Sequence, residues 1–230
     1  MLTERRRQAP IADSADQIED VPATLPDKKV FSGKEYPRMS KIKLPDPIDQ
    51  GVTLMQALER RRSNHQITHE PLSLEALSYI LNSLGFNNTG SRTYPSGGGL
   101  YPVETYLLSR RVDGLGMAAY HYHAPTHSLE HLWEIPEKLE MFGTINAWAE
   151  DARAILIFTG SWYKSIYNYG DFSYLLGLIE TGHIGQNILL AAAAQDIPAC
   201  PLGGFNDDVV TKLLDLNPST EQPIYVVALA

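Results

Sequence analysis

Cysteine is nearly missing from this 230-residue chain: Cys200 is the single one, which excludes an internal disulfide and a cysteine metal cluster. With no Ser-His-Asp or Cys-His nucleophile set to join, it reads as a small packing residue. Long apolar runs are also lacking. The longest purely aliphatic stretch, residues 188–194, falls far short of the ~20 residues that cross a bilayer. Positive charge is in the minority, with 19 Lys and Arg against 27 Asp and Glu and a formal net charge of -8, a poor match for a nucleic-acid phosphate track. The basic run Arg5-Arg6-Arg7 sits among acids and reads as a solvated tail. Residues 1–10 lack the apolar stretch of a signal peptide. The expectation is a soluble, cytoplasmic protein with neither membrane nor nucleic acid as partner.

What is present suffices for one sizeable core, since 43% of residues are hydrophobic. Residues 1–45 are rich in Pro, Asp, Lys and Arg without an apolar period, which predicts a disordered or extended arm, order beginning near Leu44, and one domain over 46–230. Thr53 and Gln56 match a capping box opening a helix whose stripe is Leu54, Met55 and Leu58. A second helix opens at Ser73, lines up Leu74, Leu77, Leu81 and Leu84, and stops at Gly85. A loop rich in Asn, Ser and Gly follows over 87–99. Strands are predicted over 103–109 and 154–159, with a hairpin pairing 117–123 and 128–134 around Ala124-Pro125-Thr126-His127. A long helix over 172–195, a loop over 198–206, a short helix over 208–214 and a strand over 223–230 complete the chain. Helices first, then strands and helices mixed, predict an α+β fold.

Four stretches carry candidate chemistry. Arg61-Arg62-Ser63-Asn64-His65 puts two guanidiniums beside a hydroxyl, donors that suit an oxyanion; on spacing alone a basic helix end complementing the helix dipole is the stronger reading. Pro95-Ser96-Gly97-Gly98-Gly99 bares backbone N–H groups for a flat ligand, and its flanking Pro95 and Pro102 argue against a floppy turn. It is neither a Walker loop nor a dinucleotide fingerprint, because no Gly-Lys follows and a strand, not a helix, comes next. Leu202-Gly203-Gly204 leads toward a helix start capped by Asn206 or Asp207, a second place where amides face a ligand or an ordinary capped turn. Glu180, His183, Gln186 and Asn187 share a helix face, so a carboxylate and an imidazole stand together for proton transfer or pair within a subunit interface. His121 and His123 point the same way from one strand but lack a third ligand, and no metal is expected.

In their order and spacing these segments resemble the nitroreductase superfamily from about residue 40 onward, and within it the SagB-type dehydrogenases of thiazole/oxazole-modified peptides. The resemblance runs through Arg61-Arg62-Ser63, through Arg92-Thr93-Tyr94-Pro95-Ser96-Gly97-Gly98-Gly99-Leu100-Tyr101-Pro102, and through Glu180-Thr181-Gly182-His183-Ile184-Gly185-Gln186-Asn187. It closes with Pro201-Leu202-Gly203-Gly204-Phe205.

The resemblance implies a central mixed or antiparallel sheet flanked by helices, and a homodimer with FMN bound at its interface. It places phosphate and pyrimidine contacts at Arg61, Arg62 and Ser63, isoalloxazine contacts at Pro95, Ser96, Gly97 and Gly98, and a close approach to flavin N5 at Gly203 and Gly204, with Leu202 among the cofactor-binding residues. His65 stands where many relatives carry Arg or Lys, so its charge depends on pH. Asn168-Tyr169-Gly170 keeps the family's tyrosine but not its lysine, and Phe172 and Leu175 stand where arginines are common. Tyr169 is thereby the expected proton handler, with His183 second. The implied function is FMN-dependent dehydrogenation of an azoline-type or related peptide or small-molecule intermediate, beside other biosynthetic enzymes. The alternatives are an NAD(P)H-dependent nitro or quinone reductase and a catalytically impaired scaffold subunit.

Overall fold

A computed structural model describes residues 33–230. Its frame is one seven-stranded sheet: β1 (Lys41–Lys43), β2 (Val103–Ser109), β3 (Ala118–His123), β4 (Ser128–Glu134), β5 (Ala154–Ser161), β6 (Ala199–Leu202) and β7 (Glu221–Leu229). The spatial order is β1-β4-β3-β2-β5-β7-β6, and every pairing between these strands is antiparallel. Among the described residues five α-helices accompany it: α1 (Leu54–Arg60), α2 (Leu74–Asn82), α3 (Ile166–Tyr169), α4 (Phe172–Ala194) and α5 (Asp207–Leu213). The α+β architecture is the one expected.

The central strands read as unbroken apolar runs because both sheet faces are covered. Leu107, Leu156, Phe158, Val227 and Leu229 face a core built with Leu77, Ile80 and Leu81 of α2 and Ile184 and Ile188 of α4. Their alternates Tyr106, Leu108, Ile155, Ile157, Val226 and Ala228 face a second core closed by Val210 of α5 with Met141 and Ala149. Each fully buried Leu, Ile or Phe contributes about 1.5–3 kcal/mol, so this two-sided burial pins the sheet's register. Cys200 lies buried in the second core, a packing residue as expected.

Local signals explain the helix starts. Thr53 and Gln56 form the predicted capping box, and the Ser73 side chain accepts the Ala76 N–H of α2. The apolar stripe of α1 does not enter the core: only Ala57 is buried, while Leu54 and Met55 are 65% and 64% exposed. α1 packs on α4, whose first half leaves Phe172, Tyr174, Leu175, Leu178 and Ile179 exposed as well. The glycines of α4 are largely taken by the chain's own rings. A Cβ at Gly177 would stand 2.6 Å from Trp162, and one at Gly185 would stand 3.1 Å from Tyr225, whereas Gly182 is open.

Four elements differ from the sequence expectation. Of the arm anticipated over residues 1–45, the first 32 lie outside the described residues. From Lys34 the chain is already docked, with its N–H on Glu104 Oε1 at 2.8 Å and Lys41–Lys43 paired to β4. β6 forms where a loop was expected; its Pro201 lacks a donor, which an edge position tolerates. The 3-10 turn Thr144–Asp151 and the one-turn helix α3 were not anticipated. Among the described residues no helix is long and apolar enough to cross a membrane.

Candidate functional site

The Pro95–Gly99 stretch is a shaped loop. Gly97–Gly99 make a 3-10 turn in which Gly98 and Gly99 take φ of 62° and 68°, the left-handed region that favours glycine. Ser96 Oγ accepts the Tyr101 N–H at 2.9 Å and ties the two ends together. The turn rests on two neighbours: a Cβ at Gly98 would lie 2.6 Å from Tyr169 Oη, and one at Gly97 would lie 2.9 Å from Leu176 Cδ1. Its approach is held by Arg92, which donates to Leu84 O at 2.9 Å. The Arg92 guanidinium lies over Phe86, 4.7 Å from the ring centroid, and near Tyr101 at 5.6 Å.

Glu180 of α4 is buried at 1% exposure, and neither carboxyl oxygen has a well-aligned hydrogen-bond partner among the described residues. Burial pushes this carboxyl up to about 7, opposed by the Ser96 hydroxyl, the Val103 N–H, Arg92 and Lys164. The shared helix face does not bring these groups together within the chain: His183 is exposed, while Asn187 turns inward and donates to Ser83 O at 3.0 Å. Three residues advance a helix by less than a full turn, so Glu180 falls under the glycine loop and His183 on the outer edge.

The second group gathers around β6. Arg62, Ser63 and His65 are exposed and Arg61 is half-buried; neither Arg61 nor Arg62 has an ion-pair partner among the described residues. The Asn64 N–H bonds Ala199 O at 2.9 Å, fixing the segment to the start of β6. The His65 ring lies 5.2 Å from that of Trp148. The turn bearing Trp148 also sends Asn146 Nδ2 to Gly204 O at 2.9 Å, so one element holds both the Arg61–His65 segment and the glycine pair. A Cβ at Gly203 would meet nothing within 4 Å. The Leu202 side chain is buried in the core, which leaves its backbone for any ligand. Beside Gly204 opens a groove of about 1070 Å³ lined by Glu140, Phe142, Ile145, Phe205 and Asp208 among others.

A buried ionic network was not anticipated. His121 bridges two carboxylates, with Nδ1 at 2.8 Å from Glu130 and Nε2 at 3.2 Å from Glu104. Burial alone would lower this imidazole, but Glu104 and Glu130 overcome that and hold it above its ordinary value. Lys164 pairs with Glu104, and Lys34 Nζ reaches Glu221 at 2.7 Å and the Tyr106 hydroxyl at 2.8 Å. Burial works against the Glu104 carboxylate as well, yet His121 and Lys164 keep it down at about 2. His123 turns instead to Thr126 at 2.7 Å, so the two strand histidines do not act together. The usable signal was a carboxylate inside an otherwise largely apolar strand, as in Val103-Glu104-Thr105-Tyr106 and Leu129-Glu130-His131-Leu132.

Comparison with known proteins shows the family and the fold. Residues 58–230 match the Nitroreductase family. MJ1384 of Methanocaldococcus jannaschii, a nitroreductase-type protein by name, is 29% identical over 76% of this chain and 90% of its own length. The microcin B17-processing protein McbC of Escherichia coli is 27% identical over 67% of this chain, which spans 61% of McbC. Among solved structures, a nitroreductase-type protein from Anabaena variabilis superposes with a TM-score of 0.73 at 26% identity, covering 84% of this chain and 42% of that one. The E. coli microcin synthetase McbBCD complex with truncated pro-MccB17 bound gives 0.65 at 23% identity, covering 93% of this chain and 84% of that one. A nitroreductase-type protein from Desulfovibrio desulfuricans in complex with FMN gives 0.53 at 20%, covering 77% and 84%, a likeness of fold. The chain belongs to the nitroreductase family.

Proposed function

We propose that this chain is an FMN-dependent oxidoreductase, working as a homodimer, that dehydrogenates an azoline-type or related intermediate in the biosynthesis of a modified peptide or other natural product. The observation that carries the reading is the donor set around β6. Arg61 and Arg62 have no carboxylate partner among the described residues, Ser63 follows them, and His65 of the same segment packs against the Thr144–Asp151 turn that holds Gly204 beside the open Gly203. That chemistry fits a flavin mononucleotide: planar guanidiniums for a phosphate, and bare backbone where no side chain blocks a flat ring. The outward apolar residues of α1 and α4 support a second copy of the chain as partner, since a face of this kind marks an interface. McbC supports the substrate class, and the McbBCD complex supports an assembly with other biosynthetic enzymes.

FMN, when bound, supplies the two-electron acceptor chemistry. The chain's residues do the rest. Arg61, Arg62 and Ser63 would hold the phosphate, and His65, its ring 5.2 Å from that of Trp148, adds a ring nitrogen beside them. The Pro95, Ser96, Gly97 and Gly98 backbone and the Gly203–Gly204 amides orient the ring without filling the substrate's place. Tyr169, whose Oη is set against Gly98, is placed to relay the proton that leaves the substrate, its oxygen accepting as its own hydroxyl proton passes on to solvent, and exposed His183 is the second candidate for that task.

The test is direct. The purified protein is expected to carry, or to take up with 1:1 stoichiometry, FMN seen by its visible absorption, and to sediment as a dimer. Rapid bleaching of the bound flavin by NAD(P)H would favour a nitro or quinone reductase. Colourless protein that takes up no FMN overturns the flavin reading.

A further inference from the structure

Glu180 has the marks of a group that does more than fill space. It lies one helical turn beyond Leu176, the residue against which Gly97 packs, and it is 1% exposed with both oxygens lacking a well-aligned partner among the described residues. Its nearest donors, the Ser96 hydroxyl and the Val103 N–H, bracket the loop that Ser96 closes through the Tyr101 N–H at 2.9 Å. Charged and titratable groups face it from several elements. Arg92 and Tyr94 come from the approach to the loop, and Lys164 comes from the turn before α3. Glu104 of β2 and Tyr169 of α3 stand at the edge of the same cluster. A buried polar group without partners is expensive unless its surroundings can move.

We propose that Glu180 is a positioning residue: in its neutral form it lets the Ser96–Tyr101 loop close, and its ionisation drives that loop open so that water reaches the carboxylate. The inference rests on the flavin reading for what the loop covers, and on the packing alone for the motion. An open loop returns Glu180 to the ordinary carboxylate range near 4.5, whereas the closed loop holds it at about 7. Linkage then makes closure progressively less favourable as pH rises between those values, by up to tenfold per unit and about 300-fold in all. Arg92 and Lys164 favour the ionised form, so they set where the change falls but not its direction.

The experiment measures exchange protection of the Tyr101 amide in the full-length, cofactor-free protein from pH 5 to 8, corrected for intrinsic exchange. In the wild type, protection is expected to fall by about 70-fold across this range. In Glu180→Gln, which keeps the shape and removes the ionisation, it is expected to stay flat. In Ser96→Ala, which removes the acceptor, the amide is expected to be unprotected at every pH, and this variant serves if Glu180→Gln fails to fold. Identical profiles for wild type and Glu180→Gln, or wild-type protection in Ser96→Ala, would overturn the proposal. FMN titration of the same proteins separates the two claims. Flat exchange with normal FMN binding sinks the loop switch alone, and a pH-dependent loop in a protein that binds no FMN sinks the flavin reading alone.

Discussion

Placing alanine at Gly98 tests whether the glycine loop and Tyr169 form one unit. Gly98 has φ of 62°, where a Cβ costs about 1–2 kcal/mol. The new methyl would also lie 2.6 Å from Tyr169 Oη, while the ring carbons Cε2 and Cζ remain at 3.4 Å, an ordinary contact. The hydroxyl is therefore the atom in the way, and Tyr169→Phe removes it. Gly98→Ala alone is expected to lose about 2–3 kcal/mol in urea unfolding, combining the backbone strain and the clash. In the Tyr169→Phe background only the backbone part should remain, a coupling of about 1 kcal/mol between the two sites. Gly98→Ala should also lower turnover of the flavin-loaded protein by displacing Oη, although alanine brings no chemistry of its own. Losses that add to within about 0.3–0.5 kcal/mol would refute the contact and with it the placement of Tyr169.

Three further outcomes follow from the same structure. Glu104 sits at about 2 in the fold against an ordinary 4.5, so its contribution of about 3 kcal/mol is present above the ordinary value and lost as pH falls toward 2. Glu104→Gln should abolish that acid limb in denaturation curves and lower stability at pH 7 by about 3–5 kcal/mol, because Lys164 and His121 are left buried without their partner. Leu175→Glu together with Ile179→Glu should turn a sedimenting dimer into a monomer while leaving the unfolding midpoint of the monomer within a few degrees, since both side chains are exposed at 47% and 48%. Arg61→Ala and Arg62→Ala should each weaken FMN binding by about tenfold or more and leave the fold intact by circular dichroism; unchanged affinity in both would remove them from the phosphate site.

What could be read along the chain was whatever depends on near neighbours. The Thr53 and Ser73 caps, the Leu77–Leu81 stripe, the β3–β4 hairpin and the long helix α4 each follow from residues within a few positions of one another. Signals of that kind, acting in the same direction, mark a foldable sequence. β6 was hidden by Pro201, which only an edge position excuses, and the edge is a property of the whole sheet. β1 is three residues long and carries two lysines, so it has no pattern to recognise.

The candidate site divides in the same way. Arg61-Arg62-Ser63, the serine-glycine loop and Gly203–Gly204 were legible because each is a contiguous run whose residue types already suit an anion or a flat ring. Tertiary structure alone decided that Tyr169 meets Gly98, that Glu180 turns under the loop while His183 faces outward, and that Lys34, Glu104, His121, Glu130, Lys164 and Glu221 share one buried network. Those partners lie up to 187 positions apart, and no local periodicity encodes a contact at that range. It exists because five strands bring their ends together, and a charge buried there can persist only beside its opposite.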